Sequence, residues 1–264
     1  MASLKSFLAL LLLLLLAFAS DSASSRPIIR MFPRKNLLRF NDDTNLLCEG
    51  WKYSFEVNNL ITNFTSPKEC VPFLKHYFDY IDNGGRYSVD LYYAIEYAYE
   101  YAETVKLSSD GRDAWIFGVD DTLLSTLPYY QERGYGSETF NETDFNEWMA
   151  KADAPPVEFT WALYRILQDL GFKIIILTGR DEFTRGFTQQ NLLKAGYSNW
   201  EKLIMRGISD QGKDAIVYKS EMRAKLVGEG YRLHGNTGDQ WSDVLGLTPA
   251  ARSFKFPNPM YYVP

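Results

Sequence analysis

The stretch Ala-Trp-Ile-Phe-Gly-Val-Asp-Asp-Thr at residues 114–122 joins a short apolar run to a group of small and acidic residues. An apolar run of four residues that follows Ser-Ser-Asp-Gly at 108–111 is typical of a strand buried on both faces, the kind found in parallel sheets. In such sheets the loops that follow the carboxyl ends of the strands carry the reactive groups. We therefore expect residues 118–122 to line a functional crevice.

Strand and helix patterns alternate through the rest of the chain. Apolar residues at helical spacing predict an amphipathic helix over 159–170, which Gly171 can end in the left-handed conformation. Further strands are predicted at 173–177, 202–205 and 231–234, and further helices at 87–107, 183–195 and about 220–227. This succession predicts an α/β fold, with parallel βαβ units and helices on both faces of the sheet. It also brings residues 178–180 and 238–243 to the same edge as 118–122.

The N-terminal 19 residues have the pattern of a signal peptide. Lys5 precedes an apolar run from Phe7 to Phe18, and Ala17-Phe18-Ala19 is a small-x-small cleavage site. The alternative is a membrane anchor, although the run is shorter than the roughly 20 residues that a spanning helix needs. Residues 20–47 lack periodicity and are expected to be irregular. The folded domain is predicted to begin at Cys48 and to run to residue 264.

The predicted secretory route sets expectations for the cysteines and for two sequons. In an oxidising compartment the simplest pairing of Cys48 and Cys70 is a disulfide, with two buried free thiols as the alternative. Asn63 and Asn141 each begin an N-x-Thr sequon, which is either a glycosylation site or a chance match. We expect a soluble mature glycoprotein, with no membrane segment, in the vacuole or outside the cell.

The composition disfavours one class of partner. With a net charge of −5, 46% hydrophobic and 23% charged residues, the chain is typical of a globular protein and lacks an excess of basic side chains. Nucleic-acid binding requires a basic face that displaces counterions from phosphates. Nucleic acid is therefore not expected as a partner.

The three loops resemble motifs of the haloacid dehalogenase superfamily. Residues 116–122 are similar to its opening motif of hydrophobics followed by D-x-D-x-T, residues 177–180 to its second motif, and residues 238–243 to its G-D-x-x-x-D fourth motif. More narrowly, from about Cys48 to the C terminus the chain resembles the class B-like plant acid phosphatases and vegetative storage proteins. The stretches that carry this narrower resemblance are 120–125, 128–130, 218–220, 238–241 and 257–262.

The resemblance implies a fold and a set of residue roles. The fold is a Rossmann-like parallel sheet with a small helical cap at about 125–155 and an N-terminal helical extension. In the family's phosphoaspartyl mechanism, the first aspartate of D-x-D attacks phosphorus and the second is the acid/base, which is Asp120 here. Matching positions assign phosphate binding to Thr178 and Lys219. The same matching assigns Mg²⁺ ligation to Asp239 and to the Asp120 backbone, with support from Asp243.

The chain departs from this pattern at the nucleophile. Gly118 occupies the position of the attacking aspartate, and a shift of register does not restore the motif, because it places Val119 in the first slot. Asp113 lies five residues earlier, at the opposite end of the predicted strand. Loss of a covalent nucleophile costs other hydrolases on the order of a million-fold in turnover. We therefore expect phosphatase activity to be lost or very weak and Mg²⁺ binding to be weakened.

The sequence is compatible with several functions. The leading one is a non-enzymatic storage role like that of vegetative storage proteins; the alternatives are an Mg²⁺-dependent acid phosphatase with residual activity on phosphate monoesters and a module that binds such esters. Simpler explanations exist for individual residues, since Asp239 could cap a following helix and Lys213 lies only six residues from Lys219. The resemblance also raises a homodimer, or a heterodimer with a paralogue, as a partner arrangement.

Overall fold

A computed structural model of the protein describes residues 44–60, 65–79 and 85–264. The strands are β1 (Asp113–Phe117), β2 (Lys173–Asp181), β3 (Lys202–Arg206), β4 (Arg232–Gly238) and β5 (Arg252–Lys255). They form one sheet in the order β3-β2-β1-β4-β5, and every neighbouring pair is parallel. The predicted α/β fold with a parallel sheet is therefore confirmed.

The principal helices surround this sheet. They are α1 (Thr44–Val57), α2 (Val71–Phe78), α3 (Arg86–Thr104), α4 (Leu127–Gln131), α5 (Glu142–Met149), α6 (Thr160–Leu170), α7 (Arg185–Lys194), α8 (Ala215–Gly228) and α9 (Trp241–Val244). The stretch 125–155, which we expected to form a cap, contains α4 and α5. Short 3-10 turns lie at 68–70, 134–136, 182–184 and 208–210.

Two hydrophobic layers cover the two faces of the sheet. Trp115 and Phe117 of β1 point into the layer that includes residues of α3 and α6. Ala114 and Ile116 point to the other face, where Tyr218 of α8 joins the layer. Because side chains alternate along a strand, an apolar run with both faces covered is what a central parallel strand requires.

Element boundaries show where local sequence and tertiary packing differ. Helix α6 ends at Gly171, whose φ is 102°, as predicted. Strands β2 and β4 continue four residues past their predicted ends, and α8 begins at residue 215 instead of 220. The sequence analysis did not predict β5, a four-residue strand with one buried residue, Phe254. Pairing with β4 makes it a strand.

The N-terminal part requires one correction. Helix α1 begins at Thr44, so the last four residues of the stretch expected to be irregular, 20–47, are helical. The predicted signal peptide, residues 20–43 and the sequon at Asn63 lie outside the described residues. Cys48 and Cys70 form the predicted disulfide, with their Cα atoms 5.4 Å apart. Within the described ranges no helix is long and apolar enough to cross a membrane.

Candidate functional site

A cavity of about 750 Å³ opens at the carboxyl ends of β1, β2 and β4. The loops that follow these strands are far apart in sequence, yet parallel pairing brings their starts to one edge. All six residues that the sequence assigns to catalysis, phosphate or metal line this cavity: Gly118, Asp120, Thr178, Lys219, Asp239 and Asp243. The predicted convergence is therefore observed, whereas the chemical role of each residue remains a prediction.

Gly118 lies where β1 ends and the cavity begins. Its amide donates to the carbonyl of Thr237 on β4 at 3.0 Å, so its backbone is held at the carboxyl end of the sheet. The φ angle of Gly118 is not positive. A Cβ added here would lie 2.9 Å from Thr122 Oγ1 and 3.6 Å from Asp243 Oδ1. Gly118 thus has an ordinary backbone conformation, and a side chain at this position would point toward the acidic side of the cavity.

Asp120 is held by Arg180, a residue of the second motif to which the sequence analysis gave no separate role. The guanidinium of Arg180 donates to both carboxylate oxygens, with Nη2 2.6 Å from Oδ1 and Nε 3.0 Å from Oδ2. A third nitrogen, Nη1, donates to Thr188 Oγ1 on α7 at 3.1 Å. Bidentate pairing of this kind fixes the orientation of a carboxylate. Asp120 must leave part of this pairing before it can transfer a proton.

Asp121 points away from the cavity and into the protein. Its φ of 46° turns the chain, and its carboxylate accepts hydrogen bonds from the Thr126 amide and the Tyr261 hydroxyl, at 2.9 and 2.7 Å. Thr126 Oγ1 is a third donor. Burial, together with the nearby charge of Asp239, raises the pKa of Asp121 to about 7. Asp121 therefore does not present a carboxylate to the cavity.

Asp239 is the central carboxylate of the cavity floor. It accepts from Thr122 Oγ1 at 3.2 Å, from Gln240 Nε2 at 2.7 Å and from Asn258 Nδ2 at 2.8 Å. Burial and the charge of Asp243 raise the pKa of Asp239 to about 6. The N-cap of α9 is Gln240, so Asp239 does not serve as a helix cap.

Lys219 supplies buried positive charge to the same floor. Its Nζ lies 2.6 Å from Asp243 Oδ1, and both side chains are at least nine-tenths buried. Lys213 also lines the cavity, but its ammonium pairs with Asp210 and Glu221 and a third of its side chain is exposed. The structure thus favours Lys219 over Lys213 as the lysine at the base of the site.

The oxygen donors of this floor fit a divalent cation. Mg²⁺ in proteins commonly keeps several waters and binds one or two carboxylates. Among the described residues, the Asp239 carboxylate is buried, accepts from neutral donors and forms no ion pair, while burial and then the charge of Asp243 raise its pKa. Histidine and cysteine are not among the donors, and the described residues contain no group of three or more His, Cys, Asp or Glu placed to hold a metal. Asp239 is therefore the buried carboxylate of this floor that could hold such an ion.

An apolar wall faces the charged floor. The sequence analysis did not predict this wall, because its residues resemble ordinary core positions. The wall comprises Tyr130 of α4, Phe140, Phe145 and Met149 near or on α5, and Tyr261. The Tyr130 and Tyr261 rings stack with their centroids 4.9 Å apart. The cavity therefore combines a polar base with a side suited to apolar groups.

Comparisons with known proteins identify the family of the chain. Residues 35–264 match the family model described as HAD superfamily, subfamily IIIB (acid phosphatase). The chain is 44% identical over 257 residues to acid phosphatase 1 of Solanum lycopersicum. This match covers 96% of this chain and 97% of that protein. It is 36% identical to vegetative storage protein 2 of Arabidopsis thaliana, over 97% of this chain and 98% of that protein.

A third relative is the stem 28 kDa glycoprotein of Glycine max, at 39% identity over 88% of this chain and 91% of that protein. Among solved structures, the class C acid phosphatase from Bacillus anthracis superposes with a TM-score of 0.60 at 18% identity, over 74% of this chain and 87% of that chain. This likeness concerns the fold alone. With a family match over most of its length and relatives well above 30% identity, the chain belongs to the HAD superfamily, subfamily IIIB acid phosphatases.

Proposed function

We propose that this protein is a storage glycoprotein of the vegetative storage protein type, built on an acid phosphatase scaffold whose phosphatase activity is lost or very weak. The observation that carries the proposal is Gly118. It occupies the carboxyl end of β1, at the edge of the cavity, where the family mechanism requires an attacking carboxylate.

The neighbouring acidic groups do not supply a substitute. Asp120 is paired with Arg180, Asp121 points into the core, and Asp243 is paired with Lys219. Asp239 already accepts three hydrogen bonds. A nucleophile must approach phosphorus with a free lone pair, and each of these carboxylates would have to break strong interactions first.

The rest of the site retains features of a phosphate-ester pocket. Lys219, Thr178 and Arg180 offer positive charge and donors for phosphoryl oxygens, and Asp120, to which the family resemblance assigns proton transfer, lines the same cavity. Magnesium, when bound by Asp239 and the Asp120 backbone, would neutralise charge on those oxygens. These features support a second candidate, a phosphatase with residual activity in which Asp120 activates a water molecule.

A storage role fits the disulfide and the extensive core. Proteolysis requires local opening, and a cross-linked, well-packed domain opens rarely. The names of several relatives, vegetative storage proteins and stem glycoproteins, support the same interpretation. For this chain we propose a glycosylated mature form in the vacuole or the extracellular space, after removal of residues 1–19.

Steady-state phosphomonoester hydrolysis at acidic pH with Mg²⁺ tests the proposal. We expect the wild-type rate to equal that of Asp120→Asn, because a lost nucleophile leaves the acid/base without a step to assist. A wild-type rate that is measurable and falls in Asp120→Asn would instead support the residual phosphatase. Protein abundance in the source tissue provides the independent check, since a reserve must be plentiful.

A further inference from the structure

We propose that Asn141 carries an N-linked glycan that stands at the mouth of the cavity and limits its occupants to small molecules. Asn141 begins the sequence Asn-Glu-Thr and is exposed. Its neighbours on both sides, Phe140 and Glu142, line the cavity. The asparagine itself is not part of the lining, so the attachment point lies on the rim.

The local geometry leaves the correct atom available for the sugar. Asn141 is the N-cap of α5, and its Oδ1 accepts a hydrogen bond from the Asp144 amide at 3.2 Å. Because an amide donor faces this atom, the oxygen and nitrogen of the side chain are assigned by their partner. N-glycosylation uses Nδ2. A glycan can therefore be attached while Oδ1 continues to cap the helix.

The rim is held in place by side-chain contacts. The guanidinium of Arg133 lies 2.7 Å from Asp144 and packs over the ring of Tyr129, at 3.9 Å from its centroid. The Tyr129 hydroxyl also donates to Asp144 at 3.2 Å. These contacts fix the first turn of α5, so a sugar on Asn141 stays next to the opening.

A glycan on the rim would limit the size of the molecules that enter the cavity. An N-linked glycan is bulky and hydrophilic. On the rim it leaves room for a small phosphate ester to reach the charged floor, but it obstructs a phosphate group displayed on a folded protein. This selection by size rests on the proposed phosphate-ester pocket. The presence of the glycan and its effect on access to the cavity do not rest on that pocket, so they can be tested separately.

The test uses a thiol reporter inside the cavity. Cys48 and Cys70 are the two cysteines of the chain and are joined to each other, so an introduced cysteine is a single free thiol. Gly179 lines the cavity and is exposed, and a Cβ added there meets no atom within 4 Å. Gly228, outside the cavity lining, has equally open space and serves as the control position.

Gly179→Cys and Gly228→Cys are each produced in a glycosylating host with Thr143→Ser, which keeps the sequon, and with Thr143→Ala, which removes it. Mass spectrometry of the peptide that contains residue 141 measures occupancy. Reaction rates are then compared for N-ethylmaleimide and for a maleimide coupled to a small folded protein. Asn146→Cys, on another part of the lining, repeats the measurement if Gly179→Cys fails to fold.

We expect the glycan to slow the protein-coupled reagent at Gly179→Cys by about tenfold, equivalent to roughly 1.4 kcal/mol in the barrier. N-ethylmaleimide should react equally in both glycoforms, and Gly228→Cys should be indifferent to the glycan. An unmodified Asn141, equal rates in the two glycoforms, or equal slowing at Gly228→Cys would overturn the proposal. None of these outcomes depends on phosphate hydrolysis, so the inference and the proposed function fail separately.

Discussion

The guanidinium of Arg180 binds the Asp120 carboxylate through two nitrogens, with the shortest contact 2.6 Å between Nη2 and Oδ1. The side chain of Arg180 is 3% exposed and that of Asp120 is 23% exposed. The pair joins the loop after β1 to the end of β2, two segments separated by 60 residues. It therefore contributes both to the orientation of the candidate acid/base and to the integrity of the cavity.

Breaking this pair should destabilise the fold. We expect Arg180→Met to lower the free energy of unfolding by about 2 kcal/mol, less than for a fully buried pair because Asp120 keeps some contact with solvent. Lys194→Met is the control, since Lys194 pairs with Asp153 in an exposed ion pair that contributes at most about 1 kcal/mol. Urea unfolding measures both. Equal effects of the two substitutions would contradict a structural role for the Arg180–Asp120 pair.

Restoring a carboxylate at position 118 should restore chemistry. We expect Gly118→Asp to gain Mg²⁺-dependent phosphatase activity, toward the roughly million-fold that nucleophile loss costs other hydrolases. The backbone favours this outcome, because Gly118 does not have the positive φ that would strain an aspartate. Thr122 Oγ1, which lies 2.9 Å from the position of the new Cβ, must shift to admit it.

Gly118→Asn is the matched control, since it has the same shape without the nucleophile. Steady-state assays should find it as inactive as wild type, and the gain in Gly118→Asp should disappear when Asp120→Asn is added. If Gly118→Asp folds but is no more active than Gly118→Asn, the assigned roles of Thr178, Lys219 and Asp239 are wrong.

The buried carboxylates predict a pH dependence. Folding raises the pKa of Asp121 to about 7 and that of Asp239 to about 6, so between about pH 4 and 7 the folded state binds more protons than the unfolded state. Their contribution to stability is therefore fully present at acidic pH and is lost as the pH rises through these values.

We expect the metal-free protein to lose less stability between pH 4.5 and 7 when Asp121 is replaced by Asn. An asparagine at 121 keeps the shape of the side chain, and its oxygen can still accept from the Thr126 amide. The hydroxyls of Thr126 and Tyr261 can turn to accept from the amide nitrogen of the asparagine. Chemical unfolding with a chelator present, at both pH values, measures the effect. Asp153→Asn, on the surface, should leave the pH dependence unchanged; an unchanged dependence in Asp121→Asn would refute the assignment.

The disulfide should contribute to stability through the loop that it closes. Cys48 and Cys70 are 22 residues apart, and a loop of this length corresponds to about 3 kcal/mol of stabilisation in the chain-entropy description. We expect the double substitution to alanine to lower the free energy of unfolding by this amount, measured by denaturant titration. Peptide mapping without reduction is the direct check. Alkylation of both cysteines before reduction would contradict the pairing.

The sequence by itself determined the parallel α/β plan and the composition of the three loops. Residues 114–117 are apolar on both faces, and α6 combines helical spacing with a glycine at its end. These are local patterns, and the alternation of strand and helix then fixes which strand ends meet at one edge. The glycine at position 118 is likewise visible in the sequence, where the resemblance to the family motif leads us to expect an aspartate.

Tertiary structure decided what the local patterns leave open. Strand β5 exists because β4 pairs with it, and α8 begins at Ala215, beside the cavity, five residues before the predicted start. The partner of Asp120 proved to be Arg180, 60 residues away, while the adjacent Asp121 points into the core. Such choices depend on the distances and burial that long-range packing imposes on side chains, and neither quantity is encoded in local sequence periodicity.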